Sequence, residues 1–186
     1  MSLTLQDIQH LLGERGSQQY GLEAVNQREH ALQCAHLAEL AGESDELVIA
    51  CLLHDLGHMI DAQKAGTIES DMSRDDLHQY NLLPFLRGIL PDAVLEPIRL
   101  HVDAKRYLCQ AEGGYFAGLS AASVHSLAQQ GGAFTEVESR AFLRQPHAAD
   151  AVRLRRFDDL AKTPGLVVPS LEHYLPRLEQ LMLQTA

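Results

Sequence analysis

The sequence predicts an all-α protein, and three observations lead there. Apolar residues recur at helical spacing along most of the chain. No alternating run long enough for a strand interrupts them. Glycine, proline and asparagine fall where those periodic segments begin or end. Residues 4–15 place Leu5, Ile8, Leu11 and Leu12 on one face, and Gly16-Ser17 ends the segment. A polar stretch around Tyr20-Gly21 reads as a loop. A second helix starts at Asn26, a good N-cap, with Glu29 three residues on to complete a capping box. Its face of Ala31, Cys34, Ala35 and Ala38 is small and suits close packing; Gly42 stops it. Leu47–Leu53 is apolar all round and runs into His54-Asp55-Leu56-Gly57-His58, which favours a buried helix over a buried strand. Residues 61–72 read as a loop. Further helices are expected near 74–88, 92–103, 120–130, 135–143, 147–162 and 170–184, with Pro91, Pro97, Pro146 and Pro169 at or near helix starts.

The 186 residues predict a single domain spanning 1–186, large enough to bury about 70% of the unfolded chain's surface. Acidic residues outnumber basic ones, 25 against 15, a formal net charge of −10. That balance argues against nucleic acid or an anionic membrane as partner, and no apolar run is long enough to span a bilayer. The three cysteines (Cys34, Cys51 and Cys109) form no C-x-x-C pair, so neither a disulfide framework nor a cysteine-rich zinc site is expected. The N-terminus has no basic or apolar leader pattern, and the reading is cytoplasmic. Ten histidines stand out against fifteen lysines and arginines, and histidine is the commonest metal ligand.

Their positions are more informative than their number. His54-Asp55 closes an apolar helix, where two unpaired polar groups would be costly to bury. His30 precedes the pair on another helix, His78 and His101 follow on two more, and Asp158 lies on a later one. Imidazoles and carboxylates converging from several helices can build a dinuclear site in a bundle core.

This order, H…HD…H…H…D, resembles the HD-domain superfamily of all-helical metalloproteins, which has a dinuclear metal site in its helical bundle. The resemblance narrows to the phosphonate-degrading oxygenases of that superfamily. It is carried by Tyr20–Gln33, His54–His58, His101–Leu108, Leu119–Leu127 and Leu154–Asp159, and it extends over about residues 4–163. It implies two iron ions as a mixed-valent pair and O2 as cosubstrate. The reaction implied is C–P cleavage of 1-hydroxy-2-aminoethylphosphonate or its N-trimethyl relative, giving phosphate and glycine or glycine betaine. It also implies that His30, His54 and Asp158 hold one ion, that His78 and His101 hold the other, and that Asp55 bridges them. The choice of Asp158 over Asp159 rests on the family pattern. Tyr20 is implied as a lid on an iron position, with Glu23 near the substrate's ammonium group.

A phosphonate in so acidic a protein needs a local cluster of cations and hydroxyls. Lys105 follows His101 by one turn, Arg155 precedes Asp158 by three residues, Ser123 and Ser126 share a face, and His58 follows His54 by one turn. These five are the expected phosphonate contacts. His10, His36, His147 and His173 read as ordinary, and His125 has no assigned role. The rival readings on the same fold are a metal-dependent phosphohydrolase acting on a nucleotide or phosphate ester and a non-catalytic ligand sensor. Whether the amine is primary or trimethylated, and what oligomer forms, stay open.

Overall fold

The computed structural model describes residues 2–16, 24–65 and 77–185. They form helices throughout, with no strand among the described residues beyond an isolated bridge between Arg87 and Leu90. The order is α1 (Leu5–His10), α2 (Gln27–Leu40), α3 (Asp45–Leu53), α4 (Leu56–Ala65), α5 (His78–Asn81), α6 (Leu83–Leu86), α7 (Asp92–Ala111), α8 (Ala121–Gln129), α9 (Glu136–Phe142), α10 (Ala148–Leu160) and α11 (Leu171–Thr185).

α3 lies at the centre because every residue from Leu47 to Leu53 is apolar and all are buried. α2 and α7 flank it, and α10 packs against all three. Ala31, Cys34, Ala35 and Ala38 on α2 are buried, and their small side chains let α2 approach α3 closely. α11 closes the far side, burying Leu171, Tyr174, Leu178 and Leu181. The Asn26–Glu29 capping box is present: the Asn26 side chain accepts from the Glu29 N–H at 2.8 Å, and the Asn26 N–H donates to Glu29 at 3.0 Å. A second box joins Thr4 and Asp7 at the start of α1. No helix among the described residues is long and apolar enough to cross a membrane.

The structure departs from the expected element boundaries in five places. The first helix gives way after His10 to a π-helical turn, Leu11–Arg15. Part of the expected 61–72 loop is helix, since α4 runs to Ala65. Of the single helix expected at 74–88, residues 74–76 lie outside the described residues and the remainder holds the one-turn helices α5 and α6, because Pro84 in the first turn of α6 cannot continue a preceding helix. α7 runs past residue 103 to Ala111, since nothing breaks it before Gly113-Gly114. Pro97 sits inside α7 rather than at its start, a position where it leaves one backbone carbonyl without its helical donor.

Candidate metal centre and anion pocket

Three histidines of the cluster, His30, His54 and His101, are aimed by main-chain carbonyls. α3 ends at Leu53, so its last carbonyls lack helical donors; the His54 ring takes one, Nδ1 to the Cys51 carbonyl at 2.9 Å. His101 Nδ1 meets the Ile98 carbonyl one turn back on α7, at 2.7 Å. His30 Nδ1 reaches the Ala161 carbonyl at the C-cap of α10, at 2.9 Å. That carbonyl is held in place by a two-way pairing between the Gln33 amide and the Thr163 backbone, at 2.8 and 3.0 Å. A carbonyl only accepts, so the Nδ1 of each of these three rings carries a hydrogen, and in the neutral ring Nε2 presents the lone pair.

Those nitrogens converge in pairs. His30 Nε2 and His54 Nε2 are 3.3 Å apart, and His78 Nε2 and His101 Nε2 are 3.1 Å apart. Asp55 lies between the pairs. Its Oδ2 is 3.3 Å from His54 Nε2 and 3.7 Å from His30 Nε2. Its Oδ1 is 3.3 Å from His78 Nε2 and 3.7 Å from His101 Nε2. Asp158 joins the first pair only, with Oδ1 3.3 Å from His30 Nε2 and Oδ2 4.0 Å from His54 Nε2. Asp158 Oδ1 is buried without a hydrogen-bond partner. All six groups are buried.

Lone pairs and carboxylates this close repel unless positive charge lies among them. Burial lowers the His54 pKa, but the Asp55 carboxylate beside it more than reverses this and raises it to about 10. Burial together with His78 and His54 holds His101 well below the ordinary histidine range. Burial opposes the charges of both aspartates, yet both stay well below the carboxylate range. His54 holds Asp55 there and Arg155 holds Asp158. The donor set is imidazole and carboxylate without thiolate, which suits iron or manganese. Two triads have ligand atoms close enough to share an ion, His30–His54–Asp55 and Asp55–His58–His78. His58 is half-buried, stacks on His78 with ring centroids 3.9 Å apart, and has Nε2 3.9 Å from Asp55 Oδ1.

The cationic residues form a second cluster. Lys105 is buried and donates from Nζ to Ser126 Oγ at 2.7 Å. Burial, followed by the repulsion of Arg155, lowers its pKa to about 7. Arg155 is also buried and donates to Asp158 Oδ2 at 2.7 Å and to Ser123 Oγ at 3.2 Å. Its guanidinium therefore links the Asp158 carboxylate to Ser123. The structure thus brings together Lys105, Arg155, Ser123 and Ser126 from three helices. Tyr20 and Glu23 lie outside the described residues.

Three residues near this pocket were not among the expected phosphonate contacts. Asp159 and Tyr115 both bond Arg155, and Lys162 Nζ lies 3.2 Å from Ser120 Oγ and 3.4 Å from Ser123 Oγ. Only Asp159 had a sequence signal, its i+4 relation to Arg155. The ordinary histidines behave as such. His10, His36, His147 and His173 each face a carboxylate, Glu14, Glu39, Asp150 and Glu39 respectively. His125 bonds Gln129 at 3.1 Å.

A helical bundle enclosing four histidines and two aspartates that could hold metal marks a class of helical protein. The HD domain model matches residues 28–130, and the chain belongs to the HD-domain family. It is 43% identical over 176 residues to the hydroxymethylphosphonate dioxygenase of Gimesia maris, covering 92% of this chain and 85% of that protein. It is 33% identical over 172 residues to the [1-hydroxy-2-(trimethylamino)ethyl]phosphonate dioxygenase (glycine-betaine-forming) of Leisingera caerulea, covering 92% and 87%.

Proposed function

We propose that this protein is a metal- and O2-dependent oxygenase that cleaves the C–P bond of a 1-hydroxyphosphonate and releases inorganic phosphate. The observation that carries the reading is Asp55 set between two histidine pairs, beside a buried pocket of two cations and two serines. Both relatives are named for phosphonates with a hydroxyl on the carbon bonded to phosphorus. That shared group is the substrate class. Hydroxymethylphosphonate and 1-hydroxy-2-aminoethylphosphonate or its trimethyl form are the specific substrates to test. With one O2 consumed, the carbon leaves as a carboxylate: formate from the first, glycine or glycine betaine from the others.

His30, His54 and Asp158 would hold one iron, His78 and His101 the other, and Asp55 would bridge them. A mixed-valent pair supplies, when bound, the one-electron chemistry that O2 requires. The chain supplies the rest. Lys105 carries the charge that meets the phosphonate, and the Ser126 hydroxyl holds its ammonium in place. Ser123 receives hydrogen bonds from Arg155 and Lys162 on its lone pairs, which leaves its own hydrogen for a phosphonate oxygen. His58, beside Asp55 and His78, would add a donor from the histidine cluster. Tyr20 and Glu23 are assigned as lid and ammonium contact through the family resemblance. Burial of every ligand excludes water from the reacting carbon.

The test is anaerobic loading with Fe(II) and ascorbate, then phosphate release from each substrate with and without O2. Release is expected only with O2, one phosphate per O2 consumed, together with the matching carboxylate. Release indifferent to O2 overturns the reading in favour of a phosphohydrolase.

The lysine adds a pH signature. A Lys105 pKa near 7 means that the ammonium is charged below that pH and neutral above it. Affinity for the anion therefore falls as pH rises, and kcat/KM, which reports the free enzyme, is expected to decline above about pH 7. Arginine stays charged throughout, so Lys105→Arg should flatten that limb of the profile; an unchanged limb would assign it to another group.

A further inference from the structure

We infer that Tyr115 and Asp159 form a clamp that positions the Arg155 guanidinium for the phosphonate, which makes them positioning residues of the proposed oxygenase. The inference rests on that functional reading for its ligand and on geometry for its mechanism. Arg155 Nε donates to the Tyr115 hydroxyl oxygen at 3.2 Å. Arg155 Nη2 donates to Asp159 Oδ1, and the Tyr115 hydroxyl donates to Asp159 Oδ2. The three side chains thus close a ring of hydrogen bonds. The same guanidinium continues to Asp158 Oδ2 through Nη1 and to Ser123 Oγ through Nη2.

Counting donors shows what the clamp controls. A guanidinium has five N–H groups, and four are committed, to Tyr115, Asp158, Ser123 and Asp159. One N–H on Nη1 remains, and its direction is set by the plane of the group. Rotating that plane by a few tens of degrees about the Nη1–Asp158 bond would turn the remaining N–H away while Asp158 keeps its partner. Two carboxylates already flank the arginine, so its charge is matched locally. Its contribution to an anion is therefore directional, and Lys105 supplies the net charge.

Tyr115 is delivered by a loop that is itself tied down. Gly114 adopts φ +92°, a left-handed turn that brings the chain back after α7. The Tyr115 N–H bonds the Glu112 carbonyl at 3.2 Å, the Ala117 N–H bonds the Gly114 carbonyl at 3.1 Å, and Arg156 pairs with Glu112. The loop therefore meets α10 twice, at Arg156 and at Arg155–Asp159.

The experiment uses the metal-loaded enzyme, with two probes. Methylphosphonate, which lacks the hydroxyl, reports binding by calorimetry; hydroxymethylphosphonate reports turnover. Tyr115→Phe is expected to raise KM and the methylphosphonate Kd together, by about tenfold. Its kcat should stay within about twofold, with metal content and melting temperature unchanged. Asp159→Asn should behave alike. The double variant should be no worse than the weaker single variant, because both act through one guanidinium. The clamp is overturned by unchanged KM and Kd, by additive effects, by metal loss accompanying the change, or by a wild type that does not bind methylphosphonate. If the wild type binds methylphosphonate but never releases phosphate, the oxygenase reading fails and the clamp is judged on Kd alone.

Discussion

Asp55→Asn is expected to leave the helices folded and to remove both metal ions. The two carboxylate oxygens face opposite histidine pairs, Oδ2 toward His54 and Oδ1 toward His78, each at 3.3 Å. No other side chain among the described residues stands between the pairs in this way. Replacing the carboxylate by an amide keeps the shape but puts an NH2 on one side, which turns a donor toward imidazole lone pairs. Loss of a group that merely orients a ligand costs about 10–100-fold in metal affinity. Loss of a bridging ligand should exceed the upper figure for both ions. Elemental analysis of the purified variant, with far-ultraviolet circular dichroism as the folding control, checks this. Metal content equal to wild type would remove Asp55 from the bridge.

Gly57→Ala should produce a different pattern, damage to one half of the centre. A Cβ placed on Gly57 would lie 2.2 Å from the His78 carbonyl oxygen, 2.8 Å from its carbonyl carbon and 3.0 Å from its Cα. All three are backbone atoms, so no side chain can swing aside. Either α4 or the segment bearing His78 must move, at a cost of about 1–3 kcal/mol. Movement of the His78 segment would draw His78 away from His101 and leave His30, His54 and Asp158 in place. The expected product is a protein of lower denaturation midpoint that retains about half of its metal. Denaturant unfolding and metal analysis check the two effects together. An unchanged midpoint with full metal content would show that the contact yields easily.

The two variants also show which parts of the molecule were legible in the sequence. The bundle could be read because α3 is apolar on every side and α2 carries a capped, small-residue face. Both signals are local and periodic. The His54-Asp55 pair could be read because two adjacent polar groups are costly to bury without a partner or a cation, and the roles of the other ligands were implied by the family resemblance. His78 was harder to read. It opens a one-turn helix after Leu77, which has a positive φ of 53°, and four residues show no period. The close approach at Gly57 is likewise invisible, since it is set by a backbone some twenty residues away. Helical spacing related Lys105 to His101, Arg155 to Asp158 and Ser123 to Ser126, each pair on one face of one helix, but could not say that the three helices meet. It did not report Tyr115, which reaches Arg155 from a turn on another part of the chain. Lys162 lies just beyond the end of α10, where helical spacing no longer predicts direction.

The main-chain acceptors behind His30, His54 and His101 have a consequence for how this centre tolerates change. Many metal sites orient their imidazoles with a carboxylate side chain, which a single substitution can delete. Here the acceptors are the carbonyls of Ala161, Cys51 and Ile98, and every residue type has a carbonyl. Sequence drift at those three positions can alter packing but cannot remove the acceptor. The tautomer of the three ligands is thus inherited from the path of the backbone, and only a change that bends a helix end can rewrite it.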